Sequence, residues 1–370
     1  MTDNYIDEEF SFDRYPKTDN FSLKAWNAAD EHILNYLEDN DLFRPNPVIY
    51  NDRFGFLTCV LNYLSPVIVI SEKSQEKSCR LNMQRNNLKE NDERFVTPLA
   101  SLPGKVDLGI VKLPKSLDLF RLYLDHLSAY LHDDSLVICS FMTRHFTQQI
   151  LEIANEFFYE FEQSKAWKKS RVLILSKPKK PEPIQITNSI EWREKTFKQY
   201  FGVFSAGNID YATQFLIDNI TVKNEDKTVL DLASGNGIIA CAVKSKNPDC
   251  EINLIDDSFL AVESSKLNLS GEKIFFYFND TLEDFESDYF DLVISNPPFH
   301  FEYENNIEVA LSLFNDVVRC LKIDGRFLLV ASRHLNYRTH LENIFSKVLT
   351  VAENDKFIIY ECTKHIIPVV

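Results

Sequence analysis

Asn296, Pro297, Pro298 and Phe299 close the apolar run DLVIS, residues 291–295, with an amide, two rigid residues and an aromatic ring. Two consecutive prolines donate nothing to a sheet ladder, so a strand must end there. The chemistry that such an ending suits is that of a planar exocyclic amine on an aromatic base. The lone pair of that nitrogen is delocalised into its ring, so attack on an activated methyl requires the nitrogen to be held in line. The side-chain oxygen of Asn296 and the backbone carbonyl of Pro297 can each accept one N–H, and both stabilise the positive charge that grows as the methyl arrives. Phe299 can stack on the base, an interaction worth about 1–3 kcal/mol. His300, next in line, could pass on the released proton or serve only in packing.

A second group of residues could hold the methyl donor. VLDLASGNG, residues 229–237, reads as a strand running into a small-residue turn, with IIACAVKSK behind it as a helix. Gly235 and Gly237 let that turn pass close to a ligand, and the helix N-terminus offers free backbone N–H groups. The next strand, INLID, ends at Asp256, where a Rossmann-type sheet places an acid against a ribose; Asp257 is adjacent and competes for that role. The third strand, IFFYFND, ends at Asp280, whose carboxylate could accept from an adenine amine or cap a helix. With Asp231 on the first strand and Asn296 after the fourth, four strand tips place one crevice at the switch point of the sheet. A dinucleotide fits the turn alone, since Gly235, Gly237 and Ala240 match G-x-G-x-x-A. Nothing in hydride transfer calls for Asn-Pro-Pro-Phe.

Positioning those tips takes an α/β frame, and the chain spells that frame twice. TVLDLASGNGIIACAV, INLIDDSFLAVESSKLNL, FDLVISNPPF and LFNDVVRCLKIDGRFLLVAS follow one another in the C-terminal half. PVIYNDRFGFLTCVL, VIVISEKSQEKSCRLNM, VDLGIVKLPK and YLDHLSAYLHDDSLVICSF follow in the same order about 181–184 positions earlier. Short apolar strands alternate with helical periodicity in both, which predicts two tandem Rossmann-like domains with mostly parallel sheets. Pro178, Pro181 and Pro183 mark the boundary, giving domains 1–183 and 184–370. The N-terminal copy is degenerate. It carries Arg53-Phe54-Gly55 in place of the glycine turn and Lys112-Leu113-Pro114-Lys115 in place of the Asn-Pro-Pro-Phe tetrapeptide, so it is expected to recognise substrate and not to catalyse.

At 370 residues the chain can bury two cores, and its 45% apolar fraction is that of a globular protein. No apolar stretch approaches a membrane span, and the acidic start is not a basic targeting segment, so a cytoplasmic location is expected. Seven scattered cysteines with no C-x-x-C pair predict free thiols and no metal site. The net charge of −15 excludes a generic nucleic-acid coat. One strip departs from it: SKAWKKSRVLILSKPKKP, residues 164–181, holds Lys165, Lys168, Lys169 and Arg171 with no acid among them. It reads as a phosphate-binding stripe or as a solvated strand and linker.

The pairing of D-x-A-S-G-N-G with N-P-P-F-H resembles the class I S-adenosylmethionine-dependent methyltransferases that act on planar nitrogen. More narrowly, the chain resembles the bacterial ribosomal RNA guanine-N2 methyltransferases, and among them the large-subunit branch. RYPKTDNFSLKAWNAADEHIL, AWKKSR, VFSAGNID, RCLKIDGRFLLVASRHLNY and NDKFIIYE extend that similarity over nearly the whole chain. The resemblance implies S-adenosylmethionine as cofactor and 23S ribosomal RNA as partner; because a duplex hides guanine N2 in its minor groove, protein-free or partly assembled RNA is the expected substrate. It implies cofactor contacts from Asp231, Gly235, Gly237, Asp256 and Asp280 and base binding by Asn296, Pro297 and Phe299; the basic strip is the candidate for contacting the RNA backbone. The family's D-L-G-C-G-N-G has become D-L-A-S-G-N-G here, and the glycine usual after L-D-x is Ala212. Alanine keeps a tight turn only where φ is negative, so these departures bear on the exact conformation of the loop and leave the assignment standing. Rival readings are a small-subunit 16S RNA enzyme, a glutamine-N5 protein methyltransferase, an amino methyltransferase of DNA, and a non-catalytic RNA-binding assembly factor.

Overall fold

The computed structural model describes residues 10–18, 20, 22–180, 182–297, 307–335 and 337–364, with the backbone alone for 307–310. The chain divides into two compact units, Met1–Ile186 and Thr187–Val370.

In the first unit the strands are β1 (Val48–Tyr50), β2 (Val67–Val69), β3 (Phe95–Val96), β4 (Val106–Lys112), β5 (Leu131–Met142), β6 (Phe158–Gln163) and β7 (Ser170–Pro178). Between them run α1 (Ala28–Asp39), α2 (Phe56–Val60), α3 (Lys73–Arg85), α4 (Leu117–Ser128) and α5 (Gln148–Phe157). The second unit opens with a hairpin, β8 (Thr187–Trp192) and β9 (Lys195–Tyr200). It continues with α6 (Tyr211–Asn219), β10 (Thr228–Leu232), α7 (Ile238–Lys246), β11 (Glu251–Asp256), α8 (Phe259–Asn268), β12 (Ile274–Phe278) and β13 (Phe290–Ser295). It closes with α9 (Ile307–Cys320), β14 (Leu321–Ser332), α10 (Tyr337–Ile344), β15 (Lys347–Glu353) and β16 (Phe357–Thr363).

The two large sheets have one strand order. The first is β3-β2-β1-β4-β5-β7-β6 and the second β12-β11-β10-β13-β14-β16-β15, with all strands running one way except β7 and β16, each antiparallel to both of its neighbours. Even their irregularities correspond: the β4–β5 ladder slips between Val106 and Leu108, and the β13–β14 ladder between Phe290 and Leu292. A shared slip of this kind is what a duplicated frame retains.

The central strands are apolar at most buried positions, with Asp231 and Asn253 among the exceptions, because helices cover both faces of a parallel sheet. Period-two alternation sorts their side chains between two cores. Val229, Leu254, Leu292 and Ile294 face one, while Leu230, Ile255, Val293 and Leu329 face the other. Helix starts follow local chemistry: Asn27 and Asp30 form a reciprocal capping box on α1, and Ser258 caps α8 through the Ala261 N–H.

The β8–β9 hairpin is not anticipated from the sequence pattern. Its two-residue turn sets Arg193 at φ 49° and Glu194 at φ 64°, a conformation for which glycine or asparagine is the usual marker. β9 is anchored to α8, where Asn268 bonds both the N–H and the carbonyl of Lys198 and Ser264 accepts from the Tyr200 N–H.

Candidate active site at the carboxyl edge of the C-terminal sheet

β10, β11, β12 and β13 are parallel neighbours, so their carboxyl ends share one edge. Three bonds draw those ends together. The Ser295 hydroxyl donates to the Leu232 carbonyl at 2.7 Å, the Ser234 N–H to the Ile255 carbonyl at 3.1 Å, and the Asn279 N–H to the Asp256 carbonyl at 3.2 Å.

Asp231 is fully buried, and its Oδ2 accepts from the Ala240 N–H in α7 at 3.0 Å. Its Oδ1 is buried with no hydrogen-bond partner among the described residues. Burial holds this carboxyl well above the usual carboxylate range. The Ala240 N–H opposes that shift and the charge of Asp256 adds to it.

The turn that follows overrides the preference of alanine for negative φ at Ala233, which lies in the left-handed region at φ 61°, followed by Gly235 at 57° and Gly237 at 78°. The path of the turn demands that conformation, which costs an L-residue about 1–2 kcal/mol. Two backbone bonds hold it, Gly237 N–H to the Ser234 carbonyl at 2.8 Å within the turn and Ser234 N–H to the Ile255 carbonyl at 3.1 Å on the neighbouring strand. Ala212, the other departure, sits in the first turn of α6, buried, where alanine is well suited. The two glycines serve different purposes. A Cβ on Gly237 would stand 2.7 Å from Leu269 Cδ1 and 3.1 Å from Ser265 Oγ, so those side chains would have to move and φ 78° would strain any side chain there, whereas a Cβ on Gly235 would meet nothing within 4 Å. Gly235 therefore borders open space from which a ligand can reach the backbone.

Asp256 turns toward this glycine loop. Its Oδ2 accepts from the Gly235 N–H at 2.9 Å and its Oδ1 from the Ser258 N–H at 2.8 Å. Desolvation raises its carboxyl to about 6 against the lowering effect of those two N–H groups, and the charge of Asp257 adds to the rise. Asp280 lies in a bend after β12, and no helix follows it before β13. The helix-cap alternative for that residue is therefore withdrawn.

Asn296 follows β13 directly. Its Nδ2 donates to Asp210 Oδ2 at 3.0 Å and to Thr213 Oγ1 at 2.8 Å. Asp210 also caps α6, accepting from the Thr213 N–H at 3.1 Å. Pro297 is buried, and Phe299 lies outside the described residues. A further residue has no counterpart among the motif positions. Gln199, 1% exposed at the end of β9, accepts from Asn236 Nδ2 at 2.9 Å, and its own amide nitrogen lies 3.3–3.5 Å from the carbonyls of Val203, Phe204 and Ser205. It ties the glycine turn to segment 203–205. A lone glutamine at a strand end carries no sequence signal for such a role.

In the N-terminal unit the corresponding edge is filled by its own chain. Ile49, apolar and buried, occupies the place of Asp231, pairing with Ile110 as Asp231 pairs with Ile294, and Tyr50 after it is buried and hydrogen-bonded to His126 at 2.9 Å. Arg53 stands near the place of Gly235, 4% exposed, donating to Ser74 Oγ at 2.9 Å. Asn82 bonds the Phe54 carbonyl and both backbone groups of Asp13, laying residues 11–13 along α3. Lys112, at the place of Asn296, is paired with buried Asp30 at 2.7 Å. No opening like that at Gly235 is left for a nucleotide-like ligand at these positions.

The basic strip forms the β6–β7 connection and part of β7. Lys165, Lys168 and Lys169 are exposed, and Arg171 is half-buried beside Gln163. Acids distant in sequence reach it. Glu31 lies 3.3 Å from the Lys168 ammonium, which also sits 4.4 Å above the Trp167 ring, and Glu160 pairs with Lys177. Among the described residues no cluster of three His, Cys, Asp or Glu could hold a metal ion, no helix is long and apolar enough to cross a membrane, and the seven cysteines are free.

Comparison with known proteins bears on both units. Residues 1–180 match the family model described as the RLMG N-terminal domain, and residues 194–361 match the methyltransferase small domain. A curated relative from Psychromonas ingrahamii, ribosomal RNA large subunit methyltransferase G, is 32% identical over 377 residues, covering 98% of each chain. Among solved structures, a T. thermophilus 16S rRNA N2 methyltransferase in complex with AdoMet and guanosine superposes with a TM-score of 0.76 at 19% identity, covering 92% of each chain. That last likeness shows the fold.

Proposed function

The chain belongs to the ribosomal RNA large subunit methyltransferase G family, and from that premise we propose that its C-terminal domain methylates the exocyclic N2 amine of a guanine in 23S ribosomal RNA. It is an S-adenosylmethionine-dependent ribosomal RNA methyltransferase. The observation that carries the finer reading is the place of Asn296. Its amide nitrogen is bound to Asp210 and Thr213, and it stands on the same sheet edge as the Asp231, Gly235 and Asp256 turn.

The edge fits the cofactor on two counts: the unpartnered, buried Oδ1 of Asp231, and the open approach at Gly235. Asp256 would accept from ribose hydroxyls and Asp280 from the adenine amine, while Gly235 and Gly237 let the backbone close on the ligand. When bound, S-adenosylmethionine supplies an activated methyl. The residues of the chain do the rest: Asn296 Oδ1 and the Pro297 carbonyl each accept one N–H of the target amine, Phe299 stacks on the guanine, and no strong base is required because the methylated amine is acidic while cationic.

In an RNA duplex guanine N2 is turned into the minor groove, so the enzyme takes a single-stranded or flipped nucleotide. Protein-free or partly assembled 23S RNA meets that requirement. The N-terminal domain, 1–183 in this reading, recognises RNA without catalysing, and Lys165, Lys168, Lys169 and Arg171 contact its backbone. The work belongs to the cytoplasm, where ribosomal RNA is processed.

Labelled methyl transfer to deproteinised RNA from a strain lacking the modification tests the substrate. Label is expected in 23S RNA and not in 16S RNA, and label in 16S alone would move the enzyme to the other subunit. For the basic strip, replacing Lys168, Lys169 and Arg171 together by alanine should flatten the slope of log affinity against log salt by about 2, at roughly 0.7 per single-strand phosphate contact. An unchanged slope removes the strip from the account.

A further inference from the structure

We propose that Asp210 and Thr213 are a positioning pair that decides which end of the Asn296 amide meets the target amine, a reading that rests on the function given above. A primary amide presents an acceptor on one side and two donors on the other, and the two ends are nearly equal in shape. If the NH2 end faced the substrate, donor would meet donor and the site would repel the amine that it must hold.

The geometry settles the choice. Asp210 Oδ2 lies 3.0 Å from Asn296 Nδ2, and an ionised carboxylate only accepts. Thr213 Oγ1, at 2.8 Å, accepts the second N–H. Both protons of Nδ2 are thereby engaged, and turning the amide over would set its oxygen against the Asp210 carboxylate. Oδ1 is left as the end available to the substrate. The same contact draws electron density toward the carbonyl, so Asp210 also makes Oδ1 a stronger acceptor for an amine that becomes cationic.

Asp210 does this from a fixed platform. It is the N-cap of α6, its Oδ2 accepting the Thr213 N–H at 3.1 Å, so one oxygen joins the helix start to the strand end. Thr213 sits on the first turn of the same helix, 7% exposed. Asn296 is thus read by two adjacent positions of one rigid element, 83 and 86 residues away in sequence.

The two roles of Asp210 separate by substitution. Serine caps a helix about as well as aspartate but is too short to reach Asn296, whereas asparagine keeps an oxygen in place of Oδ2. Asp210→Ser and Thr213→Val should each lower single-turnover methyl transfer by about 10- to 100-fold, the usual cost of losing an orienting partner. Melting temperature, cofactor Kd and KM for RNA should stay near wild type, and Asp210→Asn should recover most of the loss. Full activity in Asp210→Ser would reduce Asp210 to a helix cap. An Asp210→Asn enzyme as slow as Asp210→Ser would mean that the negative charge, and not amide orientation, is what matters. Either result overturns the proposal while the function stands; a wild-type protein inert toward RNA would overturn both.

Discussion

Asn296→Ala should abolish methyl transfer while leaving S-adenosylmethionine affinity within about twofold of wild type. Removing one preorganised hydrogen-bonding group from a site of developing charge typically costs about 10²–10³ in rate. Here the lost group also aims the nucleophile, and the Pro297 carbonyl alone cannot fix the plane of an amine. Cofactor binding should be spared because the side-chain partners of Asn296 are Asp210 and Thr213, not the glycine turn. Isothermal titration with the cofactor and single-turnover transfer to RNA separate the two effects. Turnover surviving within about tenfold, or about 1.4 kcal/mol on the barrier, would show that the amide is not the main acceptor.

The second large effect concerns pH. Asp256 has its carboxyl raised from the ordinary 3.8 to about 6, chiefly by desolvation. A ribose hydroxyl donates to the ionised form, so protonation competes with the cofactor. With about one site in eleven ionised at pH 5, apparent affinity should fall roughly tenfold between pH 7 and pH 5. Stability of the cofactor-free protein moves the other way. Because the folded value lies above the unfolded one, the contribution of this group is fully present below about pH 4 and is lost as pH rises through about 6. Asp256→Asn should bind the cofactor weakly with no step near pH 6. Titration calorimetry across pH 5–8 checks both proteins, and a flat wild-type profile would assign the ribose contact elsewhere.

Much of this site is legible in the order of the residues alone. Apolar strands with period-two faces and a small-residue turn suffice to place Asp231, Gly235, Gly237, Asp256 and Asn296 at strand tips, because a parallel sheet brings such tips to one edge. The second copy of that frame in the N-terminal half is legible too, since Arg53 and Lys112 are the wrong chemistry at corresponding tips. What spacing alone does not supply is partnership across the fold. Nothing in the sequence ties Asn296 to Asp210 and Thr213, or Gln199 to Asn236, because those contacts depend on how a helix start and a hairpin end meet the sheet. Local rules fail where tertiary bonds override them: Ala233 holds a left-handed conformation, and Arg193-Glu194 makes a hairpin turn without glycine or asparagine.

The most direct measurement is the identity of the methylated atom. Wild-type protein, S-adenosylmethionine and unmodified 23S RNA would be incubated and the product digested to nucleosides for resolution by mass spectrometry against standards. The account predicts N2-methylguanosine as the new nucleoside, at about one per RNA and absent with Asn296→Ala. A methyl group on guanine N7, on a ribose oxygen or on another base would contradict it, since none of those atoms is the planar amine that Asn296 and Pro297 are placed to hold.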